Sequence, residues 1–436
     1  MGVERRIQVD DAMVPMKGDD AIVDDKIKLV SSYDKQLHMN LGLPDAITAP
    51  FLKAGGVGRR MMAVMFWMSS PITRMVFRIV RLLPWWLKHR MTGVAWKLWL
   101  TLHRKFPKSL RRGISDTLSI EAHALSNAMW WVRLFPCPVF CARFSLSQLN
   151  VNYPPTEDKN TQWIDSVHTS GLRSAYIRLT PPSETSPRVL CWVFGGAFIS
   201  GDVDGNRGLA ERYGRMLGCD AFLVDMRLCP ESSVQDPILD LYRGYEWLLQ
   251  QVPPENIIML GISSGGGACV RMLQLAASDD ATRKEYFGDR TPALPSLPQP
   301  AGAILLGPFV DYTQVTGSME KNAAVDLVVS PGVLETILPM QAQLIGGMDK
   351  LRLCSPVYQS MKGLCPLFIS VSEHECLIDE DTQLARSACA AGVDVVLSTK
   401  PYMCHVYQLL ACFLPEARDE EARICEWVKA RSTIWA

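Results

Sequence analysis

Short apolar runs alternate with helical stretches from about residue 170 to the end of the sequence. The strand-like runs cover 189–194, 221–225, 256–260, 303–306, 367–371 and 393–397. Stretches with helical periodicity, such as 240–250 and 269–277, lie between them. Because parallel strands need crossover connections, which are usually helices, this alternation predicts an α/β protein with a mostly parallel central sheet flanked by helices.

Three regions of different composition indicate the domain organisation. Residues 1–45 form a polar, acid-rich arm, residues 46–150 are basic and rich in tryptophan, and residues 151–436 carry the α/β pattern. Lys+Arg and Asp+Glu balance at 45 each, but residues 46–115 contain fourteen Lys or Arg and no Asp or Glu. Such an asymmetry favours an anionic partner surface. We interpret residues 46–150 as a helical cap.

The basic region favours contact with a membrane surface. Residues 61–73 are uncharged, but Arg74 and Arg78 follow, and a spanning helix needs about 20 consecutive apolar residues. Tryptophans interleaved with Lys and Arg are typical of a helix that lies in the lipid interface. We therefore expect peripheral membrane contact through residues 46–115, with a lid packed on the α/β domain as the alternative. Nucleic acid is not expected, because no base-reading motif accompanies the charge.

Cysteine usage and the N-terminal charge predict a cytoplasmic protein. The thirteen cysteines are odd in number and scattered, which favours reduced thiols in the core over a disulfide framework. Their spacing is not that of a zinc site, and we expect neither a metal nor a cofactor. The first 45 residues are acid-rich, whereas a secretory or mitochondrial leader is positively charged near its start.

Residues 261–265 read G-I-S-S-G and match the pattern G-x-S-x-G. The segment follows the apolar run 256–260 and precedes a helical pattern that starts at Ala268. A serine on a tight strand-to-helix turn holds its hydroxyl out toward a substrate, and the flanking glycines permit the crowded backbone. Ser263 is therefore the candidate nucleophile.

Residues 194–198 read F-G-G-A-F and follow directly on a predicted strand. Small residues at such a place let backbone N–H groups approach a substrate carbonyl oxygen. Donors that are fixed before negative charge develops are effective, and each is worth about 3 kcal/mol of barrier. We assign the oxyanion hole to the backbone N–H groups of Gly195, Gly196 and Ser264.

A serine nucleophile needs a base to take its proton, and the base needs an acid to orient it. Two histidines, His374 and His405, follow Ser263 in the sequence. His405 lies just past the run 393–397, as the chain order Ser, acid, His requires, whereas His374 precedes most of the acidic cluster. The acid is expected in the loop after 367–371, which offers Glu373, Glu375, Asp379, Glu380 and Asp381.

Together these segments resemble the hormone-sensitive-lipase-like branch of the α/β hydrolases over about residues 185–430. The motifs H-G-G-G, Y-R-L-A-P-E, G-D-S-A-G-G, S-P-W-x-D and D/E-x-L-x-D-E of that branch are similar to 194–197, 226–231, 261–266, 307–311 and 375–380. The resemblance implies the α/β-hydrolase fold with an N-terminal helical cap and a catalytic triad of Ser263, Glu375 and His405. It places the acid on Glu375, with Asp379 as the second candidate.

The activity implied by the resemblance is serine carboxylic ester hydrolysis through an acyl-enzyme, on a small-molecule ester. The tryptophan-rich cap favours a hydrophobic, lipid-like ester. An acyltransferase could use the same triad, and the same branch includes non-catalytic receptors, similar to plant gibberellin receptors, that lack the base. Retention of His405 favours the enzyme over the receptor. The chain departs from the pattern at Phe194, Ala197 and Ile262, which stand where the branch has His, Gly and Asp.

Overall fold

The computed structural model places the α/β domain and two helices of the preceding region. It describes residues 3–5, 75, 79–80, 82–105, 118–132, 147, 149–156, 160–165, 172–180, 187–288, 294–313, 317–323, 326, 328–329 and 331–431. Residues 6–74 and 106–117, which hold most of the polar arm and much of the basic region 46–115, lie outside the described residues.

A nine-stranded sheet forms the centre of the described chain. Its strands are β1 (Val3–Arg5), β2 (Thr161–Ile164), β3 (Ser174–Ile177), β4 (Val189–Val193), β5 (Asp220–Leu223), β6 (Ile257–Ile262), β7 (Gly302–Leu306), β8 (Leu367–Ser372) and β9 (Val395–Lys400). They lie in the order β1-β9-β8-β7-β6-β4-β5-β3-β2. The strands from β9 to β5 run parallel, whereas β1, β3 and β2 pair antiparallel at the two edges. The predicted mostly parallel sheet is confirmed.

Helices connect and cover these strands. They are α1 (Trp85–Lys105), α2 (Ile120–Val132), α3 (Val203–Leu217), α4 (Gln235–Leu249), α5 (Ser264–Ala277), α6 (Asp280–Phe287), α7 (Gly317–Asn322), α8 (Pro331–Ile345), α9 (Met348–Cys354), α10 (Ile378–Ala390) and α11 (Pro415–Lys429). Short 3₁₀ helices cover Leu149–Val151, Pro254–Asn256, Pro356–Tyr358 and Tyr407–Leu410. Helix α5 begins at Ser264, four residues before the predicted start at Ala268. The sequence pattern missed the first turn because its three consecutive glycines, 265–267, have low helix propensity.

The strands β4, β6 and β7 are buried along their whole length, as expected of a parallel sheet covered on both faces. Aromatic pairs join the sheet to its helices. The ring of Trp192 on β4 lies 5.4 Å from that of Tyr213 on α3, and Phe222 on β5 stacks on Trp247 of α4 at 5.1 Å. At about 25 cal/mol per Å² of apolar surface, each buried aromatic contributes several kcal/mol to the core on which the loops rest.

The predicted boundaries of strand β9 are wrong, because the strand runs over Val395–Lys400. The predicted run was 393–397, but pairing with β8 joins Leu367 to Val395 and Ser372 to Lys400. The last residues of β9, from Ser398 to Lys400, are polar and nevertheless buried. Backbone pairing therefore sets the end of this strand. Strand β2 is also missed by the apolar pattern, because its four residues are two polar ones followed by two apolar ones.

Helices α1 and α2 pack on each other and on the C-terminal part of the α/β domain. The indole N–H of Trp99 donates to the carbonyl oxygen of Ala124 at 2.8 Å. At the start of α2, the backbone N–H and the hydroxyl of Ser119 both donate to the carboxylate of Glu416, at 2.8 and 2.9 Å. Within the described part of the chain, the helices are all too short or too polar to cross a membrane.

Candidate active site

Ser263 occupies the turn between β6 and α5. Its backbone has φ 53° and ψ −122°, a left-handed conformation that side chains rarely adopt and that costs about 1–3 kcal/mol. The surrounding backbone holds it there. The N–H of Ser263 donates to Leu306 O at 2.9 Å, and its carbonyl oxygen accepts from Phe309 N at 2.9 Å and Gly267 N at 3.1 Å. Neighbouring strand β7 and its loop therefore fix the position of the serine.

The turn and the loop 194–198 lie in direct contact because Gly265 has no side chain. A Cβ atom at Gly265 would overlap the carbonyl oxygens of Val193 and Phe194. Any larger residue at this position would therefore push the loop away from Ser263. The sequence pattern located both segments, but only the fold shows that they touch.

The loop 194–198 follows an unusual backbone path that its neighbours stabilise. Its φ angles are 133° at Gly196, 56° at Ala197 and 61° at Phe198. The N–H of Phe198 donates to the hydroxyl oxygen of Ser264 at 3.2 Å, and the side-chain amide of Gln341 on α8 donates to Ala197 O at 3.3 Å. These contacts fix the loop in a chain that lacks the bracing histidine of the family pattern.

His405 lies between Ser263 and one carboxylate. Its Nε2 is 2.9 Å from Ser263 Oγ, and its Nδ1 is 3.1 Å from Glu375 Oε1. The second carboxylate oxygen of Glu375 accepts from Ser372 N at 2.8 Å. Both His405 and Glu375 are buried. The fold thus joins in one hydrogen-bonded chain three residues that are far apart in the sequence.

Asp379, Glu380 and His374 have contacts outside this chain of hydrogen bonds. Asp379 is exposed and accepts from Ser318 N at 2.8 Å. Glu380 is buried and accepts from Val310 N at 2.7 Å, while His374 stacks on Tyr402 with ring centres 4.1 Å apart. Of the acids that the sequence left open, Glu375 is the one in contact with His405. Across the described residues, no group of three or more His, Cys, Asp or Glu side chains could hold a metal ion.

Burial and charge act in opposite directions on the His405–Glu375 pair. Burial disfavours the charged imidazolium, but the hydrogen bond and the charge of Glu375, together with the charge of Asp326, outweigh it and raise the pKa of His405 above 6.5. Burial also raises the pKa of Glu375, against the hydrogen bonds from His405 and Ser372. A histidine with a raised pKa is a stronger base toward the serine proton.

Gly307 and Asp326 belong to the surroundings of the pair, and sequence reasoning missed both. Gly307 has φ 51°, and a Cβ atom there would lie 2.9 Å from ring atoms of His405 and 3.1 Å from Glu375 Oε1. Asp326 accepts from the backbone N–H of His405 at 3.4 Å. The similarity of 307–311 to a family motif was a signal for Gly307, whereas Asp326 lies in a segment without a motif.

Comparison with known proteins agrees with this geometry. Residues 190–409, half of the chain, match the family model described as alpha/beta hydrolase fold. An acetyl-hydrolase of Streptomyces hygroscopicus is 28% identical over 239 residues, which cover 54% of this chain and 74% of that protein. The carboxylesterase/phospholipase LipF of Mycobacterium tuberculosis is 23% identical over 268 residues, covering 60% and 65% of the two chains.

Solved structures give the same result for the fold. The crystal structure of an esterase from the bacterial hormone-sensitive lipase family superposes with a TM-score of 0.59 and 28% identity. The superposition covers 72% of this chain and 98% of that esterase. A hormone-sensitive-lipase homologue from a metagenome library gives a TM-score of 0.58 and 27% identity over 71% of this chain.

We predict that Glu375→Gln lowers kcat for ester hydrolysis by at least about a hundredfold, because His405 then loses the carboxylate that orients and stabilises it. Asp379→Asn is the matched control, since Asp379 lies four residues further on, at the start of α10, and binds Ser318 N; this variant should retain kcat within about twofold. Steady-state kinetics of both purified variants measure this. A large loss in Asp379→Asn with none in Glu375→Gln would move the acid to Asp379.

We predict that Gly307→Ala lowers kcat by about tenfold or more, because the added methyl group displaces the His405 ring from Ser263. Gly392→Ala is the control, since Gly392 also has a positive φ, 83°, but no atom lies within 4 Å of an added Cβ. Thermal unfolding measures the destabilisation that both variants share because alanine disfavours a positive φ. Steady-state kinetics measures the loss of kcat that we expect in Gly307→Ala alone. Equal kcat in the two variants would show that Gly307 has no influence on the pair.

Proposed function

Because the chain belongs to the hormone-sensitive-lipase-like family of α/β hydrolases, we propose that it is a serine carboxylic ester hydrolase that uses Ser263, His405 and Glu375. The observation that carries this proposal is the continuous pair of contacts through His405, at 2.9 Å to Ser263 and 3.1 Å to Glu375. Each residue follows a different parallel strand, so the arrangement depends on the whole sheet.

In the first half of the reaction, Ser263 Oγ attacks the ester carbonyl carbon while His405 Nε2 takes the hydroxyl proton. Glu375 stabilises the imidazolium that forms, through its contact with Nδ1. The carbonyl oxygen becomes an oxyanion, which the backbone N–H groups of Gly195, Gly196 and Ser264 are assigned to stabilise. His405 then returns the proton to the leaving alcohol, and the C–O bond breaks to give the acyl-enzyme.

In the second half, water replaces the alcohol. His405 Nε2 takes a proton from water as the water oxygen attacks the acyl carbon, and the proton then goes to Ser263 Oγ as the acid leaves. Every proton is accounted for by one base, so the mechanism needs no metal or cofactor. The same contact between His405 and Ser263 disfavours a receptor that has lost its base.

A hydrophobic, lipid-like ester is the substrate class that the surroundings favour. The relative from Mycobacterium tuberculosis that carries the name carboxylesterase/phospholipase shares this family. Helix α1 exposes large apolar side chains at the surface of the protein, among them Leu98 at 59% and Val94 at 67% of their full area. A surface of this kind would bring the enzyme to places where lipid esters are concentrated.

Helix α1 has two faces of different character. One face packs on the protein through Trp99, which donates to Ala124 O, and through buried His103, whose Nε2 lies 2.8 Å from the side-chain amide of Asn127. The opposite face is exposed and apolar at positions one turn apart, which are Val94, Leu98 and Leu102. The side of α1 that faces away from the protein therefore exposes a row of large apolar side chains.

Basic residues flank this exposed face. Arg90, Lys97, Arg104 and Lys105 are exposed on α1, and the helix contains no Asp or Glu. An apolar face with a basic border suits a helix in the interface of an anionic membrane, since the side chains enter the acyl region and the cations meet the head groups. This supports peripheral membrane contact through the described part, 82–105, of the region 46–115.

We predict that Ser263→Ala lowers kcat on p-nitrophenyl esters by about 10⁴-fold or more, because no acyl-enzyme can form. Ser278→Ala is the control, because Ser278 caps the far end of the same helix, α5. A panel from acetate to palmitate should show kcat/KM rising with chain length. Unchanged activity in Ser263→Ala would overturn the mechanism, and a maximum at acetate would overturn the lipid-like substrate.

We predict that the full-length protein sediments with liposomes containing phosphatidylserine and that salt weakens this binding. The double substitution Val94→Asp with Leu98→Asp should weaken partitioning by at least about tenfold, because two apolar anchors become charged. Leu353→Asp is the control, since Leu353 is an exposed apolar residue on α9. Equal sedimentation of the double variant and the control would contradict the assignment of α1 as the membrane face.

A further inference from the structure

A buried carboxylate links the two loops that carry Glu375 and His405. Asp326 is fully buried. Its Oδ1 accepts from Val328 N at 3.0 Å, Val329 N at 3.2 Å and His405 N at 3.4 Å. Its Oδ2 accepts from Cys376 N at 2.9 Å. One side chain thus binds the backbone of the base itself and the backbone of the residue next to the acid.

Two further residues of the same segment bind the acid loop. The side-chain amide of Asn322, the last residue of α7, donates to the carbonyl oxygen of Glu375 at 2.9 Å. The hydroxyl of Ser318 donates to Cys376 O at 2.7 Å. We call Ser318, Asn322 and Asp326 the brace. The brace binds the backbone around the acid through these hydrogen bonds.

The loops need such a connection because the two partners are thirty residues apart in the chain. A hydrogen bond between two side chains on separate loops orients the base only if both backbones are held, and a misplacement of about 1 Å costs about a hundredfold in rate. Burial strengthens the effect of each brace contact, since a buried backbone N–H that loses its partner is destabilising. The brace supplies the fixed distance that the pair requires.

Asp326 also places a negative charge beside His405. The groups that face His405 are Glu375 and Asp326, and the charge of each raises its pKa. The thiol of adjacent Cys404 is kept neutral, because burial raises its pKa. From α10, Glu380 and Asp381 face Glu375, and burial raises the pKa of both. Asp326 is therefore a second carboxylate that stabilises the imidazolium formed during each proton transfer.

We propose that Asp326 is a positioning residue of the catalytic triad, holding the acid loop and the base loop in register through the backbone of Cys376 and His405. This inference rests on the proposed function, since it assigns Asp326 to the ester hydrolysis of Ser263. Asp326 does not contact the substrate or the reacting atoms, and it acts through the orientation and the charge state of His405.

The substitution Asp326→Asn tests the proposal in the full-length protein. The asparagine has the same shape, but it offers one acceptor oxygen and one NH₂ group, so it loses either the contact with Cys376 N or those with His405 N and its neighbours. We expect kcat per active site, titrated with an organophosphonate, to fall about tenfold to a hundredfold, with KM changed less than about twofold. Loss of the charge lowers the pKa of His405, so the acid limb of kcat/KM should move to lower pH.

Asp379→Asn is the matched control, because it removes a carboxylate charge from a side chain that binds the same segment, at Ser318 N, and should retain both kcat and the pH profile. Folded Asp326→Asn protein with the wild-type kcat and acid limb would overturn the proposal. Should that variant not fold, Asp326→Glu keeps the charge but displaces the carboxylate by one methylene group, and it is expected to lower kcat about tenfold, so an unchanged kcat there would also overturn the proposal. Failure of the proposed function is distinct, since Ser263→Ala would then remain active.

Discussion

Parallel pairing of β4, β6, β7, β8 and β9 is the constraint on which the site depends. Since the strands run in one direction, their carboxyl ends meet at one edge of the sheet. The loops that leave those ends carry the 194–198 segment, Ser263, Gly307, Glu375 and His405. A shift of one residue in the register of β8 or β9 would separate the acid from the base. The buried apolar strands therefore hold the distances between polar groups that lie outside the sheet.

Backbone strain is concentrated at this edge. Five non-glycine residues of the described chain have positive φ angles, and all lie in the loops around the site, namely Ala197, Phe198, Ser263, Tyr402 and Val406. At about 1–3 kcal/mol each, their combined cost is comparable to the net stability of a typical domain. Such a set can persist only because the packed strands and the hydrogen bonds to these loops determine their conformation. The result is a site whose groups are oriented before a substrate arrives.

The hydrogen bonds around the proposed triad come largely from side chains outside the motifs. Gln341 of α8 and Ser264 of α5 fix the loop 194–198, in a chain where Phe194 replaces the histidine of the family pattern. Asp326 and Asn322 hold the backbone near the acid. Hydrogen bonds to a backbone can be made by many kinds of side chain, so such supports leave no fixed residue type in the sequence.

The sequence by itself determined the class of the fold and predicted Ser263 as the nucleophile and His405 as the base, because short apolar strands, turn glycines and the chain order of a triad are local patterns. It narrowed the acid to one loop, and the family resemblance favoured Glu375. The sequence did not predict the end of β9 at Lys400, the hydrogen bond from Gln341 to the loop 194–198, or the position of Asp326. These depend on contacts between residues far apart in the chain, where a polar residue is buried because its partner is there. Only the tertiary structure decides such pairs, since the partner is absent from the local pattern.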